Sequence, residues 1–209
     1  LKNVGQRRIE MNLQKLFEMQ AKLDAHIEQE HPVQEGEDRL AKKILALQVE
    51  LGELANCWRG FKFWSHDQEP RIKDYKQIKC KWCNGSGDDG TGICPDCKSS
   101  GDVYKEYNPL LEEYVDCLHF ILSIGLELEI TAIEIDSGYT HEDPSATFVE
   151  LFGDAWELFN FRENDKLSKF IQIGIYERMF NRFIGIGEEH LGFTWDEIEQ
   201  GYLEKNRIN

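Results

Sequence analysis

Four acidic side chains stand at spacings that could build a cation site. Glu50 and Glu53 are three residues apart, and so are Glu113 and Asp116. On a helix a three-residue step returns to nearly the same face, so each pair projects from one side of its helix. Two such helices facing one another converge four carboxylates. A lone pair of this kind is usually solvated surface, often with Lys or Arg three or four positions away. Here the helical neighbours are Ala46, Leu47, Glu53 and Leu54 around Glu50, and Val49, Glu50, Asn56 and Cys57 around Glu53. Around Glu113 they are Pro109, Leu110, Asp116 and Cys117, and around Asp116 they are Glu112, Glu113, His119 and Phe120. Of these, His119 alone could carry a positive charge. Four unpaired acids beside apolar residues repel one another and lose hydration, which raises their pKa values unless a cation compensates. Mg²⁺ suits that role, because it prefers oxygen ligands and is commonly shared between carboxylates and phosphates. Such a site polarises a phosphoryl oxygen and orients water for in-line attack. A di-iron centre is the competing reading, but it wants Glu-x-x-His on two helices. Glu28 and His31 fit once, just before Pro32, and Asp116 with His119 is the only echo.

A second metal pattern is independent of the first. Cys80, Cys83, Cys94 and Cys97 form two Cys-x-x-Cys pairs separated by ten residues, with Gly85, Gly87, Gly90 and Gly92 permitting tight turns. This spacing predicts a structural zinc site closed by four thiolates, whose binding energy helps fold a short segment. The competing readings, two disulfides or a redox dithiol, fit a reducing compartment less well. CKWCNGSG resembles the cysteine repeat of chaperone zinc modules, but CPDCKSSG is an imperfect second copy. Cys57 and Cys117 fall on apolar helical faces and are read as core.

The elements that must position these groups are helices. Apolar residues recur at helical intervals from Leu13 to about Ile27 and again from about Asp38 to Arg59, the strongest periodic signal in the chain. Pro109 suits the first turn of a third helix reaching about Glu129. Further helices are expected over Phe148–Phe161, Leu167–Ile184 and Trp195–Asn206, the last with Thr194 and Glu197 at capping-box spacing. Residues 66–107 differ in composition from both flanks and read as an insertion, with short strands expected, if anywhere, inside it. The expected architecture is all-α: an antiparallel helical bundle formed by 11–65 and 108–209, carrying a small zinc knuckle or ribbon at 66–107. Met11 opens the first amphipathic pattern and would be a natural initiator.

The 209 residues carry 39 acidic and 24 basic side chains, a formal charge of −15. That charge argues against duplex nucleic acid as a partner. No stretch approaches the ~20 apolar residues of a membrane span, and a cytoplasmic protein is expected.

An ExxE pair on one helix followed by an ExxD pair on a later one resembles the metal signature of the all-α NTP pyrophosphatases, which include the MazG-like enzymes and the dimeric dUTPases. LQKLFEMQAKLDAHI at 13–27, FKFWS at 61–65, EEYVDCLHFILSIGLEL at 112–128 and the terminal YLEKNRIN resemble dimeric dUTPase segments, together about half the chain. The resemblance implies a homodimer that hydrolyses dUTP to dUMP and pyrophosphate, with dUDP a further substrate. It implies Mg²⁺, two or more ions per site, on Glu50, Glu53, Glu113 and Asp116, with Glu50 also the water-activating base. Gln20 and Asp24 occupy positions that read the uracil edge, although Asn is familiar at the second. Trp64 resembles an aromatic wall of the base pocket. His119 and Phe120 lie one turn beyond Asp116, where sugar and base would extend, and Phe120 could exclude a ribose 2′-hydroxyl. Lys62 and Lys205 are candidate phosphate contacts, and Asn209 resembles a polar residue of the closing C-terminal motif. Two alternatives remain: a MazG-like or dCTP-directed pyrophosphatase, and a non-enzymatic zinc-bearing binding module.

Overall fold

Each periodic segment is a helix in the computed structural model, which describes residues 13–136, 138–161 and 166–207. Helix α1 is Leu13–Glu30 and α2 is Arg39–Trp58. Asp38 caps α2 by accepting the Ala41 N–H, and Arg59 closes it in the left-handed region at φ 67°. Helix α3 is Pro109–Glu127, capped by Asn108 with proline in the first turn. Helix α4, Pro144–Asn160, begins four residues before the sequence expectation, because Asp143 caps it and Pro144 opens it. Helix α5 is Lys166–Gly185, and it runs on into a π-helical turn at Ile186–His190. Helix α6, Trp195–Asn206, carries the expected capping box between Thr194 and Glu197.

Helix α3 is the axis of the molecule. It packs against α1, α2 and α6, while α2 also meets α4 and α4 meets α5. Its buried residues, among them Tyr114, Leu118, His119, Ile121, Leu122 and Gly125, go round the helix instead of forming one stripe. That is the pattern of an element enclosed on all sides. Side-chain pairs fix the directions. Lys43 reaches Glu127 at 2.8 Å near one end, while Arg71, bonded to the Cys57 carbonyl, accepts the Leu110 N–H at the other, so α2 and α3 are antiparallel. Tyr114 donates to the Phe183 carbonyl and Tyr176 to that of Ile121, which sets α5 antiparallel to α3 as well. The π turn seats Gly187 against the Tyr114 ring, where a Cβ would stand 2.5 Å from the hydroxyl.

The fold class is all-α, and the one sheet among the described residues is an antiparallel hairpin of β1 (Asp74–Lys79) and β2 (Asp102–Tyr107). Both strands lie inside the segment read as an insertion. The cysteines occupy its tip, while Asn108, directly after β2, caps α3. Residues 66–73 are not a free linker: Arg71 bonds through its backbone to both α2 and α3. No helix among the described residues is long and apolar enough to cross a membrane.

Candidate active site and metal centres

Two turns of α2 and two of α3 face each other across the acid cluster. Carboxylate oxygens of Glu50, Glu113 and Asp116 lie within 4.8 Å of one another. Glu53 is exposed and outside that triad, but its charge acts on all three members. Loss of hydration, reinforced by the neighbouring carboxylates, lifts the Glu113 carboxyl to about 7. Burial likewise raises Glu50, with the charges of Asp116 and Glu53 adding to it. Asp116 is raised by burial even though the Lys205 ammonium donates to its Oδ2 at 2.7 Å and holds the shift down. Acids that would sooner keep their protons than face one another suit a polyvalent cation.

A cavity of about 600 Å³ opens from this cluster and runs between α1, α2 and α3. Glu50, Asp116 and Lys205 line its acidic end, and Gln20, Asp24, His119, Phe120 and Ser123 line the rest. The polar groups form one chain of hydrogen bonds. Gln20 is buried; its amide nitrogen donates to Asp24 Oδ1 at 2.7 Å, which turns its oxygen towards His119 Nδ1 and the Tyr202 hydroxyl, both at 2.8 Å. Asp24 Oδ2 accepts from the Ser123 hydroxyl at 2.6 Å and lies 3.6 Å from the Lys43 ammonium. Because an amide oxygen only accepts, Nδ1 of His119 carries the proton, and its buried Nε2 is an acceptor without a partner. Burial, with Lys205 adding to it, lowers His119 to about 4, so the ring is neutral near pH 7.

The structure thus gathers Gln20, Asp24, His119, Phe120 and Lys205 with Glu50 and Asp116. Trp64 and Lys62 stand apart, outside the cavity: Trp64 is exposed and packs edge-on against Phe61 and Phe63, and Lys62 lies over the Phe61 ring. Lys62 does act electrostatically on Cys57, which also feels Glu53 and Glu113, so it stands on the outer side of the cluster. Asn209 lies outside the described residues. Glu28 and His31, at the end of α1, join no metal-holding group among the described residues. Sequence reasoning missed Lys43, Ser123 and Tyr202. Lys43 is seven residues before Glu50 and Ser123 seven after Asp116, so two helical turns along the same faces would have pointed to the first two.

The four cysteines converge at the hairpin tip, all buried, with Sγ atoms within 4.8 Å of one another. Cys80 and Cys94 are 3.8 Å apart, and Cys83 and Cys97 3.6 Å. Gly87, at φ +78°, passes so close to the Ser99 carbonyl that a Cβ would come within 2.5 Å of it. Cys117 is fully buried in the helical core, against which Cys57 also packs.

Compared with known proteins, the chain matches a family model described as dUTPase over residues 12–79 and 100–209. The unmatched stretch, 80–99, is the cysteine loop between the strands. No curated protein matches the chain in sequence.

Proposed function

The chain belongs to the dimeric all-α dUTPase family and is a dUTP diphosphatase; we propose that it works through Mg²⁺ held by Glu50, Glu53, Glu113 and Asp116. The observation that carries this reading is the convergence of three of these carboxylates within 4.8 Å at the mouth of a nucleotide-sized cavity. Bound there, the cations would supply charge neutralisation for the polyphosphate and acidify a coordinated water. Glu50, which like Asp116 belongs both to the cluster and to the cavity wall, takes the proton as water adds to phosphorus at the α–β bridge. The bridging bond breaks, releasing dUMP and pyrophosphate. Lys205 offers its ammonium to phosphate oxygens once Asp116 is committed to a metal. dUDP carries the same bridge and is also hydrolysed. Phe120, in the cavity wall, leaves a ribose 2′-hydroxyl without a partner.

The test is pyrophosphate release from dUTP, UTP, dTTP and dCTP, each with Mg²⁺ and with excess EDTA. EDTA-sensitive turnover of dUTP with UTP and dTTP left intact is expected; turnover undiminished by EDTA would remove the metal from the scheme. A second reading, that cytosine is also accepted, is favoured by Asp24, whose carboxylate only accepts hydrogen bonds and would suit an exocyclic amino group better than a uracil carbonyl. Comparable rates on dCTP would establish it.

Metal affinity should follow pH. Free of metal, the folded protein keeps a proton on Glu113 up to about 7, whereas the unfolded chain releases it near the ordinary value of 4.5. The folded state therefore binds more protons across that window, so this carboxyl's contribution favours folding at its lower end and is lost as pH rises. Mg²⁺ must displace the proton, so its binding strengthens over the same window. Thermal unfolding should show a larger Mg²⁺-induced stabilisation at about pH 8 than at about pH 5. An increment that ignores pH would mean Glu113 is no ligand.

The cysteine tip is a structural Zn²⁺ site on this reading. A tetrahedron with Zn–S bonds of about 2.3 Å has edges of about 3.8 Å, against observed separations of 3.6 and 3.8 Å and a disulfide bond of about 2.05 Å. The homodimer would form on an apolar face comprising Val149, Phe152, Trp156 and Phe159, one stripe of α4, together with Leu45 and Val49 of α2 and the exposed Phe63 and Trp64. Sedimentation should give twice the chain mass, and the chain mass alone after Val149→Glu with Trp156→Glu; an unchanged mass would place the interface elsewhere.

A further inference from the structure

The hairpin touches the reaction site at second hand. From β1, Lys76 holds both oxygens of Glu112, at 3.0 and 3.1 Å. From β2, Lys105 pairs with Glu204 in the last turn of α6. Between these two acids stands Lys205, 2.7 Å from Asp116 and 3.6 Å from Glu112. Glu112 and Asp116 thus compete for one ammonium, and Lys76 satisfies the competitor. Lys105 anchors the residue next to Lys205. A groove of about 420 Å³ separates the hairpin from α3 and α6, so these ion pairs, more than apolar packing, bridge the two. A two-stranded hairpin is by itself marginally stable. Its tip is drawn together by the cysteine loop, where the backbone N–H of Cys80 donates to the Gly101 carbonyl at 2.8 Å and that of Cys94 to the Gly87 carbonyl at 3.1 Å. That loop is the stretch outside the dUTPase match.

We propose that the β1–β2 hairpin is a positioning element for Lys205, and that a thiolate-bound metal at its tip, by keeping Lys76 and Lys105 in place, sets the affinity of the active site for the triphosphate. The proposal rests on the phosphate-binding role given to Lys205 above. Loss of the metal frees the hairpin, leaves Lys205 as the remaining partner of Glu112 and draws that ammonium away from Asp116. The cysteine loop is then a means by which zinc supply reaches a catalytic site that contains no cysteine ligand.

The experiment uses the full chain and compares Lys76→Ala with Lys105→Ala, the corresponding Lys→Arg pair, and Cys80→Ser with Cys83→Ser. The readouts are zinc content, KM and kcat for dUTP, and the rate at which acetic anhydride labels Lys205. The alanine pair should keep about one zinc per chain, raise KM about tenfold with kcat within about twofold, and speed Lys205 labelling; the arginine pair should restore both. The cysteine pair should lose the zinc and reproduce the same changes, with no further effect when combined with the alanine pair. Wild-type KM and labelling in the alanine pair would overturn the proposal, as would a zinc-free cysteine variant that keeps its helical circular dichroism and wild-type KM. If the unaltered protein hydrolyses no triphosphate, the catalytic reading fails, and Lys205 labelling still decides whether the hairpin positions this residue.

Discussion

Glu50→Gln is expected to lower dUTP turnover by about 10² to 10⁴-fold while leaving the fold as stable as before or more so. Two features of the site give this paired result. Among the clustered acids, Glu50 and Asp116 line the cavity, and the Lys205 ammonium beside Asp116 lowers the basicity of that carboxylate, which leaves Glu50 as the base with access to a water near the phosphates. Burial and the charges of Asp116 and Glu53 raise its carboxyl above the ordinary value, making it a stronger base than a free glutamate. The amide is nearly isosteric, so packing on α2 is retained, but it cannot take a proton. It also removes one of the mutually repelling charges, which in metal-free protein favours the folded state. Single-turnover hydrolysis and urea unfolding of the same preparation check both halves. Turnover above a tenth of the unaltered rate would reassign the base, and lost activity with lost stability would make Glu50 a structural residue.

What the sequence made legible follows from how local each cause is. Helices α2 and α3 could be read because their apolar period, their caps at Asp38 and Asn108 and their three-residue acid spacing all sit within single segments. The acid cluster followed, since two such helices have few ways to face each other. The thiolate group was legible for the same reason, its geometry being written into two Cys-x-x-Cys pairs. The early start of α4 is also written locally, in Asp143 and Pro144, which the apolar period alone does not mark. Other features left no local trace. The Gln20, His119 and Tyr202 network joins residues 99 and 182 positions apart, and no period in any one helix announces it. The hairpin's contacts with α3 and α6 are equally remote in sequence, and the composition that marks residues 66–107 as an insertion gives no sign of them. The π turn depends on Tyr114 packing against Gly187, which only the assembled core specifies.

The α4–α5 seam supplies the second large effect, and it too was invisible beforehand. Asp154 is buried in the middle of α4, where Arg178 donates to its Oδ1 at 2.7 Å and Arg182 to its Oδ2. Arg182, itself buried, also reaches Glu150 at 2.5 Å, and Arg178 reaches Glu157 at 2.5 Å. One carboxylate therefore satisfies two guanidinium groups, with a further acid beside each. Asp154→Ala removes the shared partner and leaves Arg182 desolvated, with the half-exposed Glu150 carboxylate and the Tyr139 carbonyl as its acceptors. Removing one member of a buried pair typically costs about 3–5 kcal/mol, because the remaining charge has lost its compensation while keeping its burial. A loss of that size is expected in urea unfolding of the Asp154→Ala protein. Asp154→Asn, which keeps an acceptor oxygen but not the charge, should fall between. The network is remote from the acid cluster, so KM for dUTP should be unchanged in whatever fraction stays folded. A loss below about 1 kcal/mol would mean that water reaches the seam and the pair behaves as a surface salt bridge.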